Sequence, residues 1–171
     1  MGQLMEVRRL YLDANVLIIL GEGKGEVADL LTHLAGEQMR QEAPFLCTSE
    51  LSLAEVLVHP YRHGDDQLIQ QYDSWLISGG FMEVGPIHRS VLWYAAVLRS
   101  SYPSRKLPDA IHVSTAIGFG CSHILSADSR IPRHIELSHR RWGISKGPAT
   151  IDVVSPDPVT LRGIIQSLAT L

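Results

Sequence analysis

The chain runs to 171 residues, 45% hydrophobic and 19% charged, with a formal net charge of -3. That length favours one domain with a sizeable buried core, and the balance is that of an ordinary soluble globular protein. The charge excludes a strongly basic molecule built wholly for nucleic acid, but not a local basic patch.

In chain order, "MGQLMEVRRLYLDANVLIIL" has no long apolar run with a small-residue cleavage site, and Asp13 and Asn15 break its apolar part. Neither a signal peptide nor a membrane span is expected. "RRLYLD" (8–13) predicts a first strand and "NVLIILGEG" a short helix ending in glycines. Residues 25–41 carry Val27, Leu30, Leu31 and Leu34 at helical spacing. "PFLCT" (44–48) reads as a buried strand, and 49–60 as a helix stopped by Pro60. A helix over 65–78, a strand over 81–87 and a helix over 88–102 follow. "LPDAIHVSTAIGFG" (107–120) reads as a glycine-closed helix, "SHILSAD" (122–128) as a fourth strand, and "IDVVSPD" (151–157) as a fifth. A last helix starts at Pro158, an early position that proline favours.

This alternation predicts an α/β fold: a parallel central sheet of about five strands flanked by helices on both faces, in a single domain over 1–171. The stretch 130–150 is too long for a simple connection and is expected to be an insertion or a binding loop. Cys47 and Cys121 form no CxxC pair. They argue against a disulfide scaffold or thiolate zinc site and fit a reducing, cytoplasmic setting.

Ligands of open α/β sheets collect at the carboxyl ends of strands. Asp13 ends the first strand, Asp128 follows the fourth, Asp109 opens a helix, and Glu55 interrupts the apolar "LAEVLV". Each also has a purely structural reading. Asp13 suits an N-cap, Asp109 a helix dipole and Asp128 a turn, and Ser52 with Glu55 spells a capping box. Together, four acids from four segments on one rim would repel one another unless a hard divalent cation such as Mg2+ or Mn2+ offsets their charge. Such a site suits phosphodiester hydrolysis.

The residues also resemble a known family. "LYLDANVLI", "TSELSLAEVL" and "LPDAIHVSTAIGFGCSHILSADSRI" resemble, in order and spacing, the motifs of the PIN-domain ribonucleases, and the similarity covers nearly the whole chain. It implies a metal-dependent endoribonuclease with Asp13, Glu55, Asp109 and Asp128 as catalytic, metal-holding acids for one or two Mg2+ or Mn2+ ions. Asn15 and Ser126 would support the acids from behind. Position 130 holds Arg where some members carry a further acid. Many members are VapC-type toxins of toxin–antitoxin pairs, and others process RNA. The resemblance therefore implies RNA as substrate, a small antitoxin as possible partner, and a homodimer using the early helices, including the apolar run 16–20. A catalytically weak RNA- or protein-binding module is the alternative. An aspartyl-phosphorylated domain ranks last, lacking a second D-x-D acid and a suitably placed lysine.

His112 lies one turn after Asp109 and is expected to pack or hydrogen-bond rather than ligate. His59 and His63 flank Pro60 and have no ligand partner at suitable spacing, so no zinc site is expected. "GEGKGE" lacks phosphate-loop spacing and reads as a turn. Trp93, Tyr94 and Leu98 share a helix face and are expected in the core. Arg130, Arg133, Arg140, Arg141 and Lys146, with Trp142, form the best local basic patch, expected beside the acids as an RNA contact.

Overall fold

A computed structural model describes residues 6–168. β1 (Leu10–Leu12) is short and buried along its length. Its side chains alternate: Leu10 and Leu12 join one apolar layer, and Tyr11 joins the other. α1 (Ala14–Glu22) follows at once, with α2 (Glu26–Met39) after the glycine-rich turn. β2 (Leu46–Ser49) is aligned by Gln38, whose Oε1 accepts from the N–H groups of Phe45 (2.6 Å) and Leu46 (2.7 Å).

The single helix expected over 49–60 is instead two: α3 (Leu51–Val56) and α4 (Val58–His63). Pro60 does not stop it. The residue lies in the first turn of α4, where its missing N–H would have no helical acceptor. α5 (Asp66–Trp75) is capped by Asp65, which accepts from Leu68 N at 3.0 Å. β3 (Glu83–Gly85), α6 (Arg89–Ser101), α7 (Leu107–Gly118) and β4 (His123–Leu125) come next. The stretch around 130–150 is an antiparallel hairpin of β5 (His134–Arg141) and β6 (Ile144–Val154), and α8 (Pro158–Leu168) closes the described chain.

The sheet order is β3-β2-β1-β4-β6-β5, six strands, close to the expected five, the sixth being the antiparallel edge. The pairs β1–β2, β1–β4, β2–β3 and β4–β6 are parallel, and β5 is an antiparallel edge. One layer packs Leu10, Leu12, Leu46 and Leu125 against α1, α2 and α8. The other packs Tyr11, Cys47, Ile124, Ile135 and Ile151 against α6 and α7. Leu98 is buried there, whereas Trp93 is 39% exposed and Tyr94 half-buried, so the expected core face of α6 is only partly core. No helix among the described residues is long and apolar enough to cross a membrane.

α7 reaches the sheet closely at Gly85, where an added Cβ would fall 2.6 Å from the Phe119 ring and 2.9 Å from Thr115. Gly85→Ala should destabilise the protein by about 1–3 kcal/mol through overpacking, read as a lower midpoint in urea unfolding.

Candidate active site at the carboxyl rim of the sheet

The strand order reverses between β2 and β4, which leave β1 in opposite directions across the sheet. Asp13 lies there, directly after β1, only 8% exposed. A buried carboxylate needs partners, and Asp13 has three. Its Oδ1 accepts from Ala14 N at 2.8 Å, capping α1 as expected. Its Oδ2 accepts from Asn15 Nδ2 at 2.7 Å and from Ser126 Oγ at 2.6 Å. Asn15 Oδ1 in turn accepts from Ala127 N (2.8 Å), so Asn15 ties the start of α1 to the loop after β4.

Glu55 and His112 complete the innermost group. Ligand atoms of Asp13, Glu55 and His112 all lie within 4.8 Å of one another. His112 Nε2 is 2.8 Å from Glu55 Oε2 and 3.8 Å from Asp13 Oδ1. On its other side, His112 Nδ1 is 2.6 Å from the Tyr11 hydroxyl. Burial, with the Asp13 charge adding to it, holds the Tyr11 phenol well above its ordinary pKa, so the hydroxyl keeps its proton. A carboxylate only accepts, so His112 Nε2–H donates to Glu55, while Nδ1 faces the Tyr11 hydroxyl on the other side of the ring. His112 therefore aims Glu55 rather than offering a free lone pair. Ser52 is no cap: it is buried inside α3, bonded to Thr48 Oγ1 at 2.8 Å.

Asp128 and Asp109 stand beside this group but are not part of it. Ser126 Oγ links the two sides, accepting from Asp128 N at 3.1 Å while donating to Asp13. Both Asp128 oxygens are taken by Arg130: Nε lies 2.9 Å from Oδ1 and Nη2 lies 2.8 Å from Oδ2. That contact pulls the Asp128 pKa down to about 2. Arg105, which sequence reasoning did not single out, donates to the Arg130 carbonyl and adds a smaller lowering at Asp128. Asp109 is half-buried in the first turn of α7, near enough that its charge helps raise the Arg130 pKa. Nothing in the sequence marks the Tyr11 contact either, because its partner lies 101 positions away.

The donor chemistry fits a hard divalent cation. Asp13 and Glu55 offer carboxylate oxygens a short distance apart, and Glu55 is partly open to solvent. His59 and His63 instead stack on each other, with His59 3.0 Å from Glu22.

The expected basic patch divides. Arg130 and Arg133 lie at the rim, where Arg133 O accepts from Val153 N. Arg140, Arg141, Trp142 and Lys146 lie at the hairpin tip, where Arg141 pairs with Ile144. β4 begins opposite Asp152, so the tip extends past the amino ends of the parallel strands. At about 3.3 Å per residue, that places it roughly 30 Å along β6 from the rim. The patch is not one surface beside the acids, because the hairpin carries most of it to the opposite end of the sheet.

A model of the PIN domain matches residues 10–136. No curated protein matches the chain in sequence. Several solved structures are similar to it in fold, three of which are toxin–antitoxin proteins. One is a toxin–antitoxin complex from Klebsiella pneumoniae (22% identity, 71% of this chain and 88% of that chain, TM-score 0.53). Another is VapC20 of Mycobacterium tuberculosis, described as a Sarcin-Ricin loop cleaving toxin (14% identity, 67% and 86%, TM-score 0.52). The third is VapBC2 of Rickettsia felis bound to a DNA fragment from its promoter (16% identity, 71% and 89%, TM-score 0.54).

Three outcomes follow from the rim geometry. The Asp128–Arg130 contact depresses a folded-state pKa, so its stabilisation is complete above the ordinary carboxyl value of 3.8 and is lost as pH falls through about 2. Arg130→Ala should remove that dependence from acid-unfolding curves in this window, and at neutral pH it should tighten Mn2+ binding in calorimetry by freeing both Asp128 oxygens. His112→Ala should weaken Mn2+ binding by about 10–100-fold through loss of Glu55 orientation.

Proposed function

Because the chain belongs to the PIN domain family, we propose that it is an endoribonuclease that hydrolyses RNA with the help of Mg2+ or Mn2+. The observation that carries this reading is the convergence of Asp13 and Glu55, from separate segments, with Asp128 tied to Asp13 through Ser126. Asp13 and Glu55 hold the cation, and Asp109 and Asp128 complete the acidic rim for one or two ions. A divalent cation held there would supply polarisation of the scissile phosphate and a lowered pKa for an attacking water. Ser126 and Asn15 fix the Asp13 carboxylate, and His112 holds Glu55 toward it. Arg130 and Arg133 offset phosphate charge at the edge of the site. No covalent enzyme intermediate forms, and the products carry a 3'-hydroxyl and a 5'-phosphate.

Further parts of the reading concern setting. The whole chain, 1–171, acts as one domain, with the hairpin as its added binding element. It works in the cytoplasm as the toxin of a toxin–antitoxin pair, restrained by a small antitoxin. Two copies pair through the early helices, where Ile18 of α1 is exposed. A short neighbouring reading frame encoding a DNA-binding segment and a flexible tail would support the toxin role; its absence would favour an RNA-processing nuclease. The fold similarity to toxin–antitoxin structures is consistent with the former.

A second reading is a catalytically weak binding module. It is favoured by the Arg130 guanidinium occupying both Asp128 oxygens. Purified protein incubated with structured and single-stranded RNAs, with Mg2+ or with EDTA, separates the two. Cleavage should require the metal. Asp13→Asn should lower it by at least about 100-fold while preserving the fold, since Asn also caps helices well. Cleavage in EDTA, or undiminished cleavage by Asp13→Asn, would refute the mechanism. Robust metal-dependent turnover would count against the binding module.

A further inference from the structure

The hairpin tip lies beyond residue 136, where the match to the family ends. It folds against the amino-terminal half of α6 and encloses a cleft of about 750 Å³. Arg89, Trp93, His139, Arg141, Trp142 and Lys146 line it, and no described acid does. In a chain of net charge -3, that is a concentrated cationic surface. The Arg141 guanidinium sits between two indoles, 5.0 Å from the Trp93 ring and 4.9 Å from the Trp142 ring. Those contacts hold its charge in place while leaving guanidinium edges to donate.

Trp142 is 88% exposed, so burial does not account for it. Turn geometry does not account for it either. Trp142 at φ 52 and Gly143 at φ 77 form the two-residue link between β5 and β6. Positive φ at both positions favours Asn-Gly, and a bulky side chain is strained there. A large aromatic therefore occupies a position that suits Asn, with its indole turned outward beside three cations.

We propose that this cleft is a second RNA-binding site, which takes an unpaired segment of the substrate by stacking bases on Trp142 and Trp93 and pairing phosphates with Arg89, Arg141 and Lys146. Flat aromatic faces interleaved with cations suit single-stranded nucleic acid, because every base can stack and every linkage carries charge. An acidic protein segment would meet the cations but would leave the exposed indole face without a flat partner. The cleft lies roughly 30 Å along β6 from the acids, about nine nucleotides of a stacked strand at 3.4 Å each. It therefore serves RNAs long enough to reach both places, and adds nothing to the cleavage of a very short one. The inference rests on RNA being the substrate.

The test is RNA binding without turnover: fluorescence anisotropy in EDTA, with Asp13→Asn protein and a labelled single-stranded RNA of about 20 nucleotides. Adding Trp142→Asn should raise Kd at least about tenfold, in line with the loss of one stacked base. The thermal midpoint should stay unchanged or rise, because Asn-Gly suits the turn. Lys146→Ala should reduce the salt slope of log Kd by about 1. Unchanged RNA affinity in Trp142→Asn would overturn the proposal. So would labelled polyglutamate binding as tightly as RNA with the same loss in Trp142→Asn, which would assign the cleft to an acidic protein. Trp142-dependent binding by a protein that cleaves no RNA would leave this site standing and remove the nuclease reading. Metal-dependent cleavage with Trp142-independent binding would do the reverse.

Discussion

A carboxylate withdrawn from water must be met by donors, and the rim of this molecule is organised around meeting that need at Asp13. An isolated carboxylate there would cost several kcal/mol. The three donors come from the amide that starts α1, from Asn15 one residue later, and from Ser126 at the exit of β4. Satisfying Asp13 thus joins two neighbouring strands and the first helix at the place where the sheet reverses its order. The same bonds aim the acid outward at the crevice. Fold and site share one set of contacts, so the group most costly to bury is also the group best positioned for chemistry.

His112 extends this logic to the other side of the crevice. It sits on α7, is held by a protonated phenol from the middle of β1, and meets Glu55 from α3. A buried strand residue, Tyr11, thereby governs a half-exposed acid it does not touch. The effect passes through the imidazole that both groups contact. Replacing either the phenol or the imidazole disturbs Glu55 without removing a carboxylate.

Much of this was legible in the sequence because it rests on local pattern. Apolar runs ending in Asp13 and before Asp128, and helical spacing around Glu55 and Asp109, predict four acids on one rim; the structure brings Asp13 and Glu55 together and ties Asp128 to Asp13 through Ser126. What stayed hidden depended on distant partners or on conflicting local signals. Glu55 and His112 are 57 positions apart. Arg130 reads as an RNA-contacting cation until it is seen to turn back onto Asp128. The hairpin carried a faint period-two signal in Ile135 and Leu137, both buried, but Arg140, Arg141 and an outward Trp142 masked it. Pro60 misled for a related reason: proline breaks a helix interior but is tolerated in a first turn, and only the break at Leu57 reveals which case applies.

The Arg130–Asp128 pair has a thermodynamic consequence. On the proposed function, a cation at the rim would compete with the guanidinium for the two Asp128 oxygens, and a phosphate would compete with those oxygens for the guanidinium. An anion that draws Arg130 aside makes Asp128 a better ligand, and a cation that takes Asp128 leaves Arg130 a better anion receptor. Linkage requires these two effects to be equal in free energy, so occupancy by either charge favours the other. With neither present, the pair is closed on itself and the rim is partly neutralised. On that reading, one surface ion pair links the charge state of the rim to what occupies it.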